Sequence, residues 1–306
     1  MNEEIVRRFL KEGILISPQS LQKIDESNIN EILEKAKSEG VLVFSLQEET
    51  SVEVRKFQKK QKLSPKDFAK YYNARFDGIK NILLKKVEHT VSVSNAKRSA
   101  SEFITIGMVR EKTPKGFIIE DITGEAEVIS KEEDISQDDV VAIRGISKEG
   151  IIFAKEIILP DIPLSSIRQK PNIKLTLSEN QVTKEFNLTP EAVYWSDKKK
   201  NITNPGWITI KKDDKTATIL VYKPANEIKA KDIISLLKKR HLYPLITQIE
   251  GIEDNFLIEP VPNLIWLIQK EKFRENYKGI MIVSGDGKEP IKVDMAKDEI
   301  EFCEKI

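Results

Sequence analysis

Few side chains in this sequence have the chemistry of metal ligands or nucleophiles. The chain contains two histidines, His89 and His241, and one cysteine, Cys303. A dinuclear hydrolytic centre needs several imidazoles and carboxylates fixed around its metals, so the histidine count argues against one. A single cysteine excludes an intramolecular disulfide and a zinc site built from several cysteines. We expect no metal and no cofactor, and we expect His241, near a predicted helix end, to have a structural role.

A basic run in the first quarter of the chain could contact nucleic acid. The polar, aperiodic segment 47–63 is predicted to be a linker, and its second half places five cations around Phe57. Such cations can bind a phosphate backbone and release its counterions. A charged stretch exposed to solvent is the alternative interpretation. The candidate DNA contacts are Arg55, Lys56, Lys59, Lys60 and Lys62.

Composition narrows the class of protein. The 306 residues are enough for two or three domains. The net charge of +1 argues against a dedicated nucleic-acid coat, which would be clearly basic. The first residues, MNEEIVRRFLKEG, lack the apolar region of a signal peptide, and no uncharged apolar run is long enough to span a membrane. We therefore expect a cytoplasmic protein.

Apolar spacing predicts helices in the first hundred residues. Residues 1–46 show three helical patterns and are predicted to form a small helical module, which could pack on itself or dock a partner. Residues 64–100 are predicted to hold a helix that leads into the next domain, because Ser64-Pro65-Lys66-Asp67 is a typical helix start. The apolar stripe of this helix consists of Phe68, Tyr72, Phe76, Ile79 and Leu83.

Residues 101–160 change to short strands separated by turns. With a bend or bulge at Gly107 and a tight turn at 122–124, they predict a five-stranded OB-fold β-barrel. OB-folds often bind single strands through aromatic platforms and basic grooves. Few aromatic residues and several acidic strand positions instead favour a protein-binding or purely structural barrel. The predicted strands are 102–109, 117–121, 125–129, 139–145 and 151–159.

Residues 161–306 alternate between strand and helix patterns. A connector rich in proline precedes a strand at 173–177, and a helix is predicted over 230–241. This alternation predicts a compact α/β domain, so the whole chain is predicted to be a multidomain α+β protein. The remaining strand predictions are 207–211, 216–222, 256–259, 264–268, 279–284 and 291–294.

Several motifs, in order along the chain, resemble the small subunit of archaeal family-D DNA polymerase. In the block from Ile104 to Phe186 they are GFIIEDITGEAEV, VVAIRG, IIFAKEIILPDIPL and RQKP. Later they are ITNP (202–205), LLKKRHLYP (236–244), IEPVPNL (258–264) and YKGIMIVSG (277–285). The resemblance covers most of residues 70–295. It implies that residues 161–306 are a reduced calcineurin-like phosphoesterase domain.

The resemblance also implies where metal ligands would lie in a catalytic member of that family. Its Ser-Asp-x-His motif is Ser178-Glu179-Asn180-Gln181 here, its His-Gly is Lys223-Pro224, and its Gly-His-x-His is Ile268-Gln269-Lys270-Glu271. Two middle motifs, Gly-Asp-x-x-Asp and Gly-Asn-His-Asp, have no counterpart, because only a short segment separates Phe186 from Ile202. The degenerate ligand positions are therefore Glu179, Gln181, Lys223, Gln269 and Glu271.

Two residual roles for these positions follow as hypotheses. Glu179 and Glu271 could hold a single Mg²⁺, because carboxylates suit that ion, but Lys223 and Lys270 would disfavour a cation in the same pocket. Lys223 could instead pair with Glu179 and act as an ionic plug where the metals lie in catalytic members.

The resemblance thus implies a non-catalytic small subunit that scaffolds the large catalytic subunit of a DNA polymerase. The helical module would recruit other replication proteins, and DNA would be contacted mainly within the complex. One alternative is a stand-alone OB-fold protein that binds single-stranded DNA. A less favoured alternative is a residual metal-dependent 3'-5' exonuclease.

Overall fold

The computed structural model forms two compact units, Met1–Thr50 and Ser51–Ile306. It describes residues 2–21, 24–25, 27–39, 43–44, 50–55, 57, 63–164, 173–178, 191–194, 204–212, 215–249 and 251–303.

The first unit is a helical module, and its helices lie where the apolar spacing predicts them. They are α1 (Asn2–Lys11), α2 (Pro18–Leu21) and α3 (Ile29–Glu39), with two short parallel strands, β1 (Leu15–Ile16) and β2 (Val43–Phe44). The module has its own small core of buried side chains, because each helix turns one apolar face inward. That core contains Ile5, Phe9, Ile14, Ile24, Ile29 and Ala36.

The predicted linker at 47–63 contains strand β3 (Thr50–Arg55), which the sequence did not reveal. This strand lies at the edge of a six-stranded sheet, next to β12 described below. Within this strand, Val54 packs against the core beneath that sheet. Glu53 also pairs with Lys211 at 2.9 Å. The linker prediction is therefore wrong for residues 50–55.

Helix α4 (Pro65–Leu83) begins at the predicted residues. The carboxylate of Asp67 accepts hydrogen bonds from the N–H and the hydroxyl of Ser64, at 2.8 and 2.7 Å, and so satisfies the helix start. Strand β4 (Thr90–Val91) and helix α5 (Val93–Arg98) follow. No helix in the described ranges is long and apolar enough to span a membrane.

The next five strands close into the predicted OB-like barrel. They are β5 (Phe103–Thr113), β6 (Gly116–Asp121), β7 (Gly124–Ile129), β8 (Val140–Lys148) and β9 (Ile151–Ile158). Their order is β5-β6-β7-β9-β8, and the additional pairing of β5 with β8 closes the barrel. The irregularity in β5 lies between Val109 and Glu111. At Gly107, where a bend was predicted, an added Cβ would lie 3.0 Å from the Ile119 side chain.

The described strands after the barrel form two sheets packed face to face, which we call the sandwich. The first sheet contains β10 (Lys174–Ser178), β11 (Glu191–Tyr194), β17 (Ile291–Asp294) and β18 (Glu299–Phe302), in the order β11-β10-β17-β18. The second has the order β15-β16-β14-β13-β12-β3. Its strands are β12 (Gly206–Lys212), β13 (Lys215–Tyr222), β14 (Leu264–Leu267), β15 (Phe273–Tyr277) and β16 (Ile280–Ser284).

The two faces of the six-stranded sheet bury different partners. One face packs on the four-stranded sheet around Trp266, which is fully buried. The other face packs on helix α6 (Ala230–Lys239) through Ile233 and Leu237. Hydrophobic burial on both faces explains why β14 is an uninterrupted apolar run. The strand predicted at 256–259 forms only one isolated bridge, between Leu257 and His241. Strands β11, β15 and β18 lie outside the strands predicted for this domain.

The connector after the barrel is fixed by one carboxylate. Asp161 accepts hydrogen bonds from Tyr277 Oη at 2.9 Å and from the ammonium group of Lys278. Its own N–H donates to the Lys238 carbonyl oxygen at 2.7 Å, and the next residue, Ile162, is buried in the core beside α6. Residues 161 and 162, at the start of the connector, therefore make specific contacts with the sandwich.

Candidate functional site

The predicted ligand positions Lys223 and Gln269 follow the carboxyl ends of β13 and β14 in the six-stranded sheet. We call this region the strand-end edge. Strands β13 and β14 run parallel, with Tyr222 opposite Leu267. The N–H of Ile268 donates to the Tyr222 carbonyl oxygen at 2.9 Å. The segments that follow β13 and β14 therefore leave the sheet side by side. Carboxyl ends of neighbouring parallel strands are where α/β sheets commonly bind ligands.

The side chain of Gln269 is occupied by the protein's own backbone. Its Nε2 donates to the Ile228 carbonyl oxygen at 2.7 Å, and the Ile228 N–H donates to its Oε1 at 2.9 Å. Gln269 is 7% exposed. Both ends of the carboxamide are satisfied, and the group holds the segment that connects β13 to α6.

The carboxamide of Asn204 binds the backbone at the start of the segment that connects β13 to α6. Asn204 Nδ2 donates to the Lys223 carbonyl oxygen at 2.8 Å, and the Lys223 N–H donates to Asn204 Oδ1 at 2.9 Å. Asn204 belongs to the ITNP motif. We call these two contacts, Asn204 with Lys223 and Gln269 with Ile228, the carboxamide clamps. Together they fix residues 223–228 across the strand ends.

The other predicted ligand positions are not brought into this edge by any described contact. The Glu271 side chain is exposed, and its carbonyl oxygen accepts from Ser284 Oγ at 2.5 Å. Glu179 and Gln181 lie outside the described residues, so the pairing of Glu179 with Lys223 stays a prediction. Within the described ranges, no group of three or more His, Cys, Asp or Glu could hold a metal ion.

Of the candidate DNA contacts, the structure describes only Arg55. It is exposed at the end of β3, and its guanidinium carbon lies 4.8 Å from the centre of the Phe57 ring. The other four lysines, Lys56, Lys59, Lys60 and Lys62, lie outside the described residues.

A buried ionic contact joins the barrel to the sandwich beside α6. Asp139, at the start of β8, is 1% exposed and lies 2.9 Å from the ammonium group of Lys239, which is 7% exposed. The same carboxylate accepts hydrogen bonds from the Ser136 N–H at 2.7 Å and from the Tyr243 hydroxyl. Burial and the negative charge of Asp139 raise the pKa of Tyr243 well above its usual value, so the phenol stays protonated as a donor.

Helix α4 joins the same region through Arg75. Its guanidinium is 3% exposed and lies 5.0–5.4 Å from the ring centres of Tyr71, Tyr72 and Tyr243. Among the described residues, Nε and Nη1 of Arg75 have no hydrogen-bond partner. Aspartates lie 3.8 Å (Asp138) and 3.9 Å (Asp254) from this cation. Ring faces and two nearby carboxylates thus compensate the buried charge.

His241 links Asp254 to the chain that follows α6. The Tyr243 N–H donates to His241 Nδ1 at 2.9 Å, so the ring proton is on Nε2, which lies 2.9 Å from Asp254 Oδ2. Burial lowers the pKa of His241 and keeps the ring neutral. Although burial opposes ionisation of Asp254, His241 and Arg75 hold the pKa of that carboxyl below its usual value. The structural role predicted for His241 rests on these hydrogen bonds of a neutral ring, not on a positive charge at a helix end.

The polar side chains that lie between barrel, sandwich and α4 form one cluster that we call the polar joint. The joint consists of Arg75, Asp139, Lys239, His241, Tyr243 and Asp254. The sequence analysis singled out only one of its members, His241. It missed Arg75, although a charged residue one turn beyond two tyrosines of a predicted helix is a signal that could have indicated it. The pairing partners are too far apart in sequence to be recognised.

Comparison with known proteins gives one consistent family. The DNA polymerase II small subunit of Thermoplasma acidophilum is 27% identical over 193 residues, which is 54% of this chain and 40% of that protein. The small subunit from Pyrococcus furiosus is 32% identical over 124 residues, or 35% of this chain and 20% of that protein. The chain is similar to the small subunit of archaeal DNA polymerase II. The resemblance to the family-D small subunit is thereby confirmed.

The similarity to polymerase small subunits is partial in length. The chain covers less than half of each relative, and the match to the Archaeoglobus fulgidus small subunit, 25% identical, covers 34% of this chain and 23% of that protein. No protein-family model matches the chain. A solved structure, the telomere capping protein Ten1 from Saccharomyces pombe, is 12% identical and covers 23% of this chain and 79% of that one, with a TM-score of 0.21. That score is too low to support a conclusion.

Two motifs of the small-subunit resemblance contact each other. Arg240, in LLKKRHLYP, donates from Nε to the Ile258 carbonyl oxygen at 2.7 Å and accepts the Ile258 N–H at 2.9 Å. Ile258 begins IEPVPNL. The Leu242 N–H donates to Phe256 at 3.1 Å. Both motifs therefore contribute residues to the hydrophobic core beside α6.

Replacing Gln269 should loosen the segment after β13. Gln269→Ala leaves the Ile228 N–H and carbonyl without their partner, which should lower the free energy of unfolding by about 1–3 kcal/mol. Hydrogen exchange at 223–229 should accelerate. The matched control is Lys270→Ala at the exposed neighbour, which should change neither quantity. Unchanged exchange in Gln269→Ala would contradict the clamp.

Stability should fall on mild acidification because of His241. The folded chain binds this proton less tightly than the unfolded chain, whose histidine has a pKa of about 6.5. The stabilisation is therefore complete above about pH 6.5 and is lost as the pH falls through the lowered folded pKa. Denaturant unfolding between about pH 7.5 and about pH 5.5 should show a smaller pH slope in His241→Gln. An unchanged slope in His241→Gln would refute the assignment.

Proposed function

We propose that this chain is a non-catalytic small subunit that scaffolds the large catalytic subunit of an archaeal DNA polymerase. The similarity to small subunits of DNA polymerase II supports the choice of partner. One structural observation supports the non-catalytic part of this proposal. Gln269, aligned with a metal-ligand position, uses both ends of its carboxamide on the Ile228 backbone.

The proposal includes a degenerate phosphoesterase domain at 161–306. Two packed sheets, with β13, β14 and β16 parallel in one of them, support this ancestry. So does the helix α6 on the outer face. In a catalytic relative the strand ends would carry imidazoles and carboxylates for metal-bound water. In this chain the carboxamide clamps use the corresponding edge for structure.

Scaffolding requires a rigid surface, and the polar joint supports one. Asp139, Lys239 and Tyr243 connect barrel and sandwich, while Arg75 connects α4. A partner could therefore bind across barrel and sandwich at little cost in conformational entropy. The helical module at 1–46 would recruit other replication proteins. Within the complex DNA would contact the basic run from Arg55 to Lys62.

The alternative, a stand-alone single-strand-binding barrel, has less support. Of the three aromatic residues in the barrel, Phe103 and Phe117 are buried, and only Phe153 is appreciably exposed, at 38%. Base stacking needs exposed rings. A residual exonuclease is supported less still, because Gln269 is occupied by backbone contacts, and it would require Glu179 as a ligand.

Co-expression with the polymerase large subunit encoded in the same genome tests the proposal. We expect a stable complex of defined stoichiometry in size-exclusion chromatography with light scattering. Asp139→Ala should weaken this complex, because it breaks the polar joint and leaves Lys239 buried without its partner.

Asp77→Ala, at an exposed position of α4, is the matched control and should assemble normally. Failure of the wild-type chain to assemble, together with tight and salt-sensitive binding of oligothymidylate by the chain alone, would overturn the proposal in favour of the single-strand-binding alternative.

A further inference from the structure

A groove lies on the flank of the barrel, outside both the polar joint and the strand-end edge. The turn between β5 and β6 (112–116), the chain after β7 (129–133) and strand β9 (153–157) form its walls. Its volume is about 1310 Å³. Small-molecule pockets usually measure about 300–1,000 Å³, so this groove has the size to hold a segment of polymer.

One wall of the groove is the free edge of a strand. Strand β9 pairs with β8 along its length, but with β7 only at Ile152 and Phe153. Beyond Phe153, in the described part of the chain, residues 154–157 have no partner strand on the β7 side. A strand edge of this kind offers N–H and carbonyl groups to an added strand.

The opposite walls carry charges of both signs. Lys112, Lys115 and Lys131 are exposed, and their ammonium groups make no ion pair or hydrogen bond with another described residue. Two exposed glutamates, Glu132 and Glu133, adjoin Lys131. The three lysines can therefore attract acidic side chains of a ligand. The two glutamates would repel a ligand that carries an uninterrupted row of negative charges.

The charges on β9 itself are already paired. Lys155 pairs with Glu102, and Glu156 lies 3.1 Å from Arg144. Phe153 remains as a half-exposed ring beside the open edge. Among the described residues, the groups of the groove that remain available to a ligand are thus the backbone edge of β9, the ring of Phe153 and three ammonium groups.

We propose that this groove binds an extended peptide segment of a partner protein, which adds as a strand beside β9. Its acidic side chains lie against Lys112, Lys115 and Lys131, and its apolar side chains contact Phe153, because successive side chains of a strand point to opposite sides. A peptide can place neutral residues next to Glu132 and Glu133, whereas a nucleic acid cannot interrupt its phosphates. This inference does not depend on the proposed function.

A fluorescein-labelled peptide of alternating valine and glutamate is the probe, titrated with the full chain by fluorescence anisotropy. We expect saturable binding and exchange protection of the amides at 154–157. The triple variant Lys112→Glu, Lys115→Glu, Lys131→Glu should weaken binding roughly tenfold or more, because three ion pairs become repulsive. The matched control reverses three exposed lysines outside the groove, Lys66→Glu, Lys70→Glu and Lys231→Glu, and should bind as wild type does.

A peptide N-methylated at alternate residues tests the backbone pairing, because it cannot donate along the new edge. It should lose most of its affinity. Absence of binding by the unmodified peptide, equal binding of the methylated peptide, or an equal loss in the control variant would each overturn the proposal. Tighter binding of oligothymidylate, with displacement of the peptide, would overturn it in favour of nucleic acid.

Discussion

The buried ion pair between Asp139 and Lys239 is the contact on which the joined arrangement of barrel and sandwich depends. Both groups are almost fully removed from water, and Tyr243 donates a further hydrogen bond to the same carboxylate. Loss of one partner in such a pair costs about 3–5 kcal/mol, because the other charge is left buried and uncompensated. The contact is directional, so it also favours one orientation of the barrel against α6.

The remaining polar contacts extend this constraint in two directions. Arg75 brings helix α4 to the same place, between tyrosine rings and Asp254. Asp161 fixes the chain between barrel and sandwich through Tyr277 and Lys278. The proposed scaffolding role needs this rigidity and does not need reactive groups. At the strand ends, the carboxamide clamps stabilise the loop at residues 223–228.

Local patterns predicted much of the fold, and long-range contacts account for the rest. The barrel followed from short strands separated by turns, and α4 from its apolar stripe and the Asp67 cap, because both signals lie within a few residues of sequence. Strand β3 was missed because, among its described side chains, Val54 is the one that packs on the core, and because its partner strand is distant in sequence. Lys223 and Gln269 were singled out by resemblance alone. Nothing local indicated that Gln269 would meet the backbone of Ile228, since that pairing depends on the path after β13.

The central proposal is that the strand-end edge does not support metal chemistry. Titration of the full chain with Mn²⁺, followed by electron paramagnetic resonance, tests it most directly, because free and bound Mn²⁺ give different signals. We predict that Mn²⁺ stays free and that bis-p-nitrophenyl phosphate is not hydrolysed in its presence. Stoichiometric binding of Mn²⁺, with hydrolysis that disappears in Glu179→Ala, would contradict the account.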